Sequence, residues 1–197
     1  HLGAKAVVVG EDYSFGKERK GNIHILKYFE DEYGYKTYPL EKLKYKGEIV
    51  SSTRIRSAVE AADFPLVKGL MGRDYFVTGE VVHGAQLGRT IGFPTANVKP
   101  EEHKQLPKNG VYVTTVELKG ETYYGLTNVG TKPTIDKEVK EVLVETFIYD
   151  FDQMIYGDQI NVRFHKFLRS EAVFESLDDL VIQMKKDQEQ LKEFFDI

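Results

Sequence analysis

Two hydrophobic periods divide the chain. Near the start, Ala6-Val7-Val8-Val9-Gly10 is a continuous apolar run closed by glycine, the pattern of a strand buried on both faces. A polar loop over residues 11–16, with Lys17, Arg19 and Lys20 after it, leads to apolar residues at helical spacing, Ile23, Leu26, Phe29 and Tyr33, stopped by Gly34. Residues 35–40 read as a second strand, and Ser51-Ser52-Thr53 supplies N-cap hydroxyls for a helix over 54–62. Strand, helix, strand, helix predicts a parallel α/β unit. From Tyr75 the period shortens to two. Runs over 76–82, 111–118, 122–126, 142–151 and 160–167, separated by turn residues, predict a small antiparallel barrel or sandwich. Lys119-Gly120-Glu121 is a tight hairpin turn, and Ile160, Val162 and Phe164 alternate with Asn161, Arg163 and His165 as a half-buried strand requires. After Leu177 the period lengthens again, placing Leu180, Val181, Met184, Leu191, Phe194 and Phe195 on a helix that is expected to pack on the barrel. Ser176 and Asp179 give it a capping-box-like start.

Composition limits the class. A chain of 197 residues with 41% hydrophobic content can bury a core of one or two domains. The absence of cysteine excludes a disulfide framework, a thiolate zinc site and a cysteine nucleophile. No apolar run reaches membrane-spanning length and no secretory signal opens the sequence, so it reads as cytoplasmic. The net charge of −4 is uneven: residues 1–73 carry 13 Lys/Arg against 10 Asp/Glu, and residues 74–197 carry 14 against 21. An acidic second half disfavours a broad nucleic-acid footprint and favours small anions met by a local loop. The chain also opens on a core strand without an initiating methionine, and its α/β part makes only about half of an ordinary domain of ~100–150 residues, so residues upstream of His1 are expected.

The densest chemistry lies in residues 79–97, GEVVHGAQLGRTIGFPTAN. Gly79, Gly84, Gly88 and Gly92 permit positive φ and bring main-chain N–H groups close to a ligand, and Arg89 adds a planar cationic fork suited to phosphate. The segment from Gly84 to Thr90 resembles a Walker A loop but fails it, with three residues between the glycines and arginine in place of lysine. Thr95 and Asn97 offer hard neutral oxygens that can share Mg²⁺ with phosphate. Further on, Glu145 stands in an apolar run where strand alternation allows two readings, a base exposed at a barrel mouth to take a hydroxyl proton or a rim glutamate paired with a neighbouring lysine. The turn-rich run from Asn128 to Thr134 is compatible with a plain loop. The five histidines show no metal-ligand spacing, and only His83 lies in the glycine loop.

Residues 79–97, Gly110-Val111-Tyr112-Val113, Asn128-Val129-Gly130-Thr131-Lys132-Pro133-Thr134, Glu145-Thr146 and Phe167-Leu168-Arg169-Ser170-Glu171, taken in order, closely resemble the riboflavin kinase family over 75–195. Residues 1–73 resemble the later part of the flavin adenylyltransferase domain that precedes the kinase in bacterial bifunctional enzymes, through Gly10-Glu11-Asp12-Tyr13-Ser14-Phe15-Gly16 and Ser51-Ser52-Thr53-Arg54-Ile55-Arg56. The resemblance implies a partial Rossmann-like α/β nucleotidyltransferase domain over 1–73. Over 74–197 it implies a six-stranded antiparallel Greek-key β-barrel with a C-terminal helix. The implied reaction moves the γ-phosphoryl group of ATP, with Mg²⁺, to the ribityl 5′-hydroxyl of riboflavin, giving FMN and ADP. By position, Gly79, His83, Gly84, Gly88, Arg89 and Gly92 would surround the nucleotide phosphates, Thr95 and Asn97 the metal, and Asn128 and Arg169 the flavin, with Glu145 the base. Asp12, Ser52, Thr53 and Arg56 would be the adenylyltransferase remnant. The family's HxGH-type nucleotide motif does not occur in the sequence, so FMN adenylylation to FAD is expected only of a longer chain. The expected partners are small molecules, with no nucleic acid and no membrane. The competing readings are a non-catalytic flavin-binding barrel and a nucleic-acid module using Lys42, Lys44, Lys46, Arg54 and Arg56 with Tyr38 and Tyr45 stacked on bases.

Overall fold

Both periods reappear as separate bodies. The computed structural model describes residues 3–84, 87–133 and 140–197, and the chain divides into two compact units, His1–Ser51 and Ser52–Ile197.

The first unit pairs β1 (Ala6–Gly10) in parallel with β4 (Lys36–Leu40), Ala6 opposite Lys36 and Gly10 opposite Leu40. Two short strands, β2 (Ser14–Phe15) and β3 (Gly21–Asn22), precede α1 (Ile23–Tyr28) and α2 (Glu30–Tyr33). Asn22 caps α1, its Oδ1 accepting the His24 and Ile25 N–H groups at 3.0 and 3.2 Å. The helical run predicted from Ile23 to Tyr33 therefore breaks at Phe29, and Gly34 ends it in the left-handed conformation as expected. A hairpin of β5 (Lys44–Tyr45) and β6 (Glu48–Ile49) closes the unit. β1 departs from the prediction of a strand buried on both faces. None of its residues is buried and Val8 is 58% exposed, because β4 is its sole partner among the described residues.

In the second unit, α3 (Ser52–Glu60) and α4 (Phe64–Met71) lead into six strands. These are β7 (Tyr75–Val82), β8 (Thr95–Pro100), β9 (Gly110–Leu118), β10 (Glu121–Pro133), β11 (Lys140–Ile148) and β12 (Gln159–Arg169). They close a barrel in the order β10-β11-β8-β7-β12-β9 with every pair antiparallel. A short helix, α5 (Leu87–Thr90), joins β7 to β8, and α6 (Leu177–Phe195) ends the chain.

The barrel interior is filled by alternate residues, among them Val77, Val116, Val144 and Val162, each no more than 1% exposed. Three threonines are buried with them, joined in a chain: Thr114 to Thr127 and Thr127 to Thr146, each at 2.9 Å. These partners satisfy hydroxyls that would otherwise carry the cost of a buried, unpaired polar group. The Lys119-Gly120 turn, both residues at positive φ, matches the twist of β9 and β10 as a tight hairpin requires. Ser176 caps α6 by accepting the Asp179 N–H at 3.1 Å. The apolar stripe of α6 lies on the barrel's outer surface, where Leu191 is fully buried in a cluster with Phe93, Leu126 and Phe147.

The unit boundary falls upstream of the expected 73/74 division. Asp63 caps α4 through the Leu66 N–H at 3.0 Å and Gly72 ends it at positive φ, and Phe64 packs between Tyr112 and Phe164 with ring centroids 5.8 and 5.6 Å away. This burial joins α4 to the barrel. The sixth strand, β8, also lay outside the predicted strands, inside what reads as the end of a glycine loop.

Candidate functional site

One rung of the barrel collects most of the polar residues singled out in the sequence. Glu145 on β11 pairs with Asn128 of β10 on one side and with Asn97 of β8 on the other. Asn128 in turn pairs with Val111 of β9 and Val111 with Arg169 of β12, while Asn97 pairs with Val82 of β7. Residues directly opposite each other project from the same sheet face. Arg169, Asn128, Glu145 and Asn97 therefore share a face although 72 positions separate the first from the last in sequence. That face is the outer one, since the neighbouring Val144 and Thr146 fill the core and Phe147, two residues beyond Glu145, lies beneath α6.

Two clefts flank the rung. The first, about 320 Å³, is bordered by Arg89, Thr95, Thr146 and Tyr156. The His83 ring stacks on Tyr156 with centroids 3.9 Å apart and planes 23° from parallel. The second, about 340 Å³, holds Glu145, Asn128 and Arg169 against an apolar wall that includes Phe147, Phe174 and Met184. Both volumes lie at the lower end of small-molecule sites, about 300–1,000 Å³. Thr95 borders both clefts.

Asn97 is buried at 7% exposure, and its side-chain oxygen has no hydrogen-bond partner among the described residues. Leaving such a group unpaired costs about 1–3 kcal/mol, so it is a candidate to meet a ligand atom. A hard cation suits it, with the Thr95 hydroxyl two residues away on the same strand face. Among the described residues no group of three His, Asp or Glu side chains could hold a metal alone, so a cation here would take most of its oxygens from phosphate and water.

The glycines have different reasons from those the sequence suggested. Of the four, only Gly92 has positive φ, at 82°. Gly79 lies within β7, where a methyl group would overlap the Lys99 carbonyl of β8, so its lack of a side chain permits the close approach of the two strands. Gly84 lies directly over the Asn97 amide, where any side chain would collide. Gly88, in α5, borders the second cleft, and Arg89 is exposed at the first. Residues 85 and 86 of the loop lie outside the described residues, as does Thr134.

Arg169 is largely committed elsewhere than to a ligand. Its guanidinium grips the buried Asp187 of α6, Nε donating at 3.0 Å to both carboxylate oxygens and Nη2 at 2.8 Å to one. Gln183 donates to the same carboxylate at 2.8 Å. Asn128 donates to Glu171 at 3.3 Å, and Asn109 donates to the other oxygen of that carboxylate at 3.1 Å. The roles of Asp187, Phe174, Met184 and Tyr156 were missed in the sequence. One signal was present: Asp187 interrupts the helical stripe of Leu180, Met184 and Leu191 at the spacing of an apolar position. Asp12, in the first unit, has its carboxyl held below the usual range by Lys42, whose Nζ lies 2.8 Å away. Ser52, Thr53 and Arg56 open α3 of the second unit.

The sequence model of the riboflavin kinase family matches residues 71–195, and that of FAD synthetase matches residues 1–54. The chain belongs to the riboflavin kinase family. It is 40% identical over 197 residues to a bifunctional riboflavin kinase/FMN adenylyltransferase of Haemophilus influenzae, covering 99% of this chain and 63% of that one. A protein of the same description from Bacillus subtilis is 36% identical, with 98% and 61% covered. The chain thus spans somewhat under two thirds of these relatives. A crystal structure named for a macrolide-efflux protein of Streptococcus pneumoniae superposes with a TM-score of 0.83 at 34% identity, covering 95% of this chain and 60% of that one. No helix among the described residues is long and apolar enough to cross a membrane. The closed six-stranded barrel with its C-terminal helix is the fold expected of the kinase family, and the nucleic-acid reading is disfavoured.

Proposed function

We propose that this chain phosphorylates riboflavin at the ribityl 5′-hydroxyl, using ATP and giving FMN and ADP. The observation that carries the reading is the junction of the two clefts at Thr95, with Glu145 and Asn97 directly paired across β11 and β8. The second cleft, apolar on one wall and polar on the other, suits an isoalloxazine ring with a polyhydroxyl tail. The first, with Arg89 and the Tyr156 ring, suits a nucleotide. Glu145 would take the proton of the attacking hydroxyl as its oxygen bonds to the γ-phosphorus and the bond to the β-phosphate oxygen breaks. Asn97 and Thr95 would hold Mg²⁺, which supplies neutralisation of the phosphate charge when bound. Arg169 and Asn128 would shape the flavin wall, Arg169 through Asp187 and Asn128 through Glu171.

Incubation of the chain with riboflavin and Mg-ATP, with flavins resolved by chromatography, tests the reading. FMN should accumulate with one ADP per turnover, and folded protein that forms none would overturn it. The expectation that the chain as given does not convert FMN to FAD is checked in the same assay by supplying FMN and ATP, where steady FAD formation would contradict it.

A further inference from the structure

Four charged side chains border the second cleft: Glu145, Glu171, Asp187 and Arg169. Three carboxylates against one guanidinium leave this wall with a formal charge of −2. The guanidinium is already spent on Asp187 through three contacts of 2.8–3.0 Å. Glu171 is held differently. Its oxygens accept from Asn109 and Asn128, two neutral amides that fix the carboxylate without cancelling its charge. Asn128 is also the cross-strand partner of Glu145, so two carboxylates without a salt-bridge partner among the described residues flank one asparagine. Glu171 borders the same cleft as Glu145, so a phosphate formed at Glu145 would share that cleft with the Glu171 charge.

We propose that Glu171 is a specificity-determining residue that discriminates the uncharged flavin alcohol from its own phosphate ester, favouring entry of the substrate and departure of the product. The inference rests on the second cleft being the flavin site. The acceptor enters neutral. The product carries about −1.5 to −2 at neutral pH, in a cleft whose lining residues carry a net formal charge of the same sign. Glu171 is exposed, and the two amides hold its carboxylate at the rim of the cleft. At a partly solvated site, removal of this carboxylate should tighten phosphate-ester binding about five- to tenfold relative to the alcohol.

The test measures dissociation constants for riboflavin and for FMN by quenching of flavin fluorescence, without ATP, for the full chain and for Glu171→Gln. The ratio of the FMN constant to the riboflavin constant should fall about five- to tenfold in the variant, and product inhibition by FMN in the forward assay should deepen in parallel. Glu175→Gln removes an exposed charge nearby in sequence and should leave that ratio in place. In the unaltered chain the same ratio should fall as ionic strength rises, a readout that does not depend on any variant folding. Equal changes in both constants for Glu171→Gln, or a ratio insensitive to salt, would overturn the proposal. Failure of the underlying kinase reading is distinct, since the unaltered chain would then bind neither flavin or form no FMN.

Discussion

Glu145 is the residue whose replacement separates chemistry from binding most cleanly. It lines the second cleft outside the cluster of Phe93, Leu126, Phe147 and Leu191, so Glu145→Gln should fold, retain nucleotide binding and lower kcat by about 10²–10⁴ while KM for riboflavin moves much less. Steady-state kinetics with a nucleotide-binding measurement check this, and full rate in the variant would require another base. His165 makes a prediction of a different kind. It is part-buried against Phe194 and Phe195, with Nε2 2.9 Å from the Thr115 hydroxyl, and burial lowers its pKa, with Lys68 and Arg163 adding to the shift and Asp74 opposing it. A base with a depressed folded pKa binds its proton more readily when unfolded. Stability should therefore be level above the unfolded value of about 6.5 and fall as pH drops below it, before carboxylates titrate. Thermal melts across that range should show the decline, and His165→Gln should flatten it.

At the scale of elements, α6 is attached to the barrel by two unlike contacts. Leu191 is fully buried against Phe93, Leu126 and Phe147, while Asp187, 2% exposed, is held by Arg169 and Gln183. Removing one partner of a buried ion pair leaves the other unmet, so Asp187→Ala should cost about 3–5 kcal/mol. Breaking the half-exposed Arg163–Glu117 pair should cost much less, since solvent screens it. Denaturant unfolding of the two variants compares them directly. Because Arg169 and Asp187 both border the second cleft, proposed above for the flavin, Asp187→Ala should also weaken riboflavin binding more than nucleotide binding. Element boundaries were legible wherever local chemistry sets them. Gly34, the Lys119-Gly120 turn and the Ser176 cap all act where the sequence placed them. β8 was not legible, because Pro94 and Gly92 mark a turn while the strand after it is specified by pairing with β7 and β11.

For the molecule as a whole, the unit boundary carries the prediction. Phe64 is 4% exposed between Tyr112 and Phe164, so α4 is part of the barrel's core although its sequence precedes the first barrel strand. Phe64→Ala should destabilise the second unit by about 3–5 kcal/mol. The melting of the barrel, followed by aromatic near-ultraviolet circular dichroism, should shift with it. If the barrel signal stayed in place, α4 would belong energetically to the first unit.

What the sequence determined by itself was local or ordered along the chain: periods of two and 3.6, caps, tight turns, and an ordered set of motifs specific enough to imply the kinase family. Those signals survive because φ preferences and side-chain alternation act over a few residues. What the tertiary structure alone decided was adjacency. Barrel closure and register set Asn97, Glu145, Asn128 and Arg169 on one rung, moved Gly79 out of the loop into a strand, and turned Arg169 towards Asp187. The reason is that register is fixed by which faces the whole barrel buries, and a one-residue slip in any strand would turn its share of the rung inward.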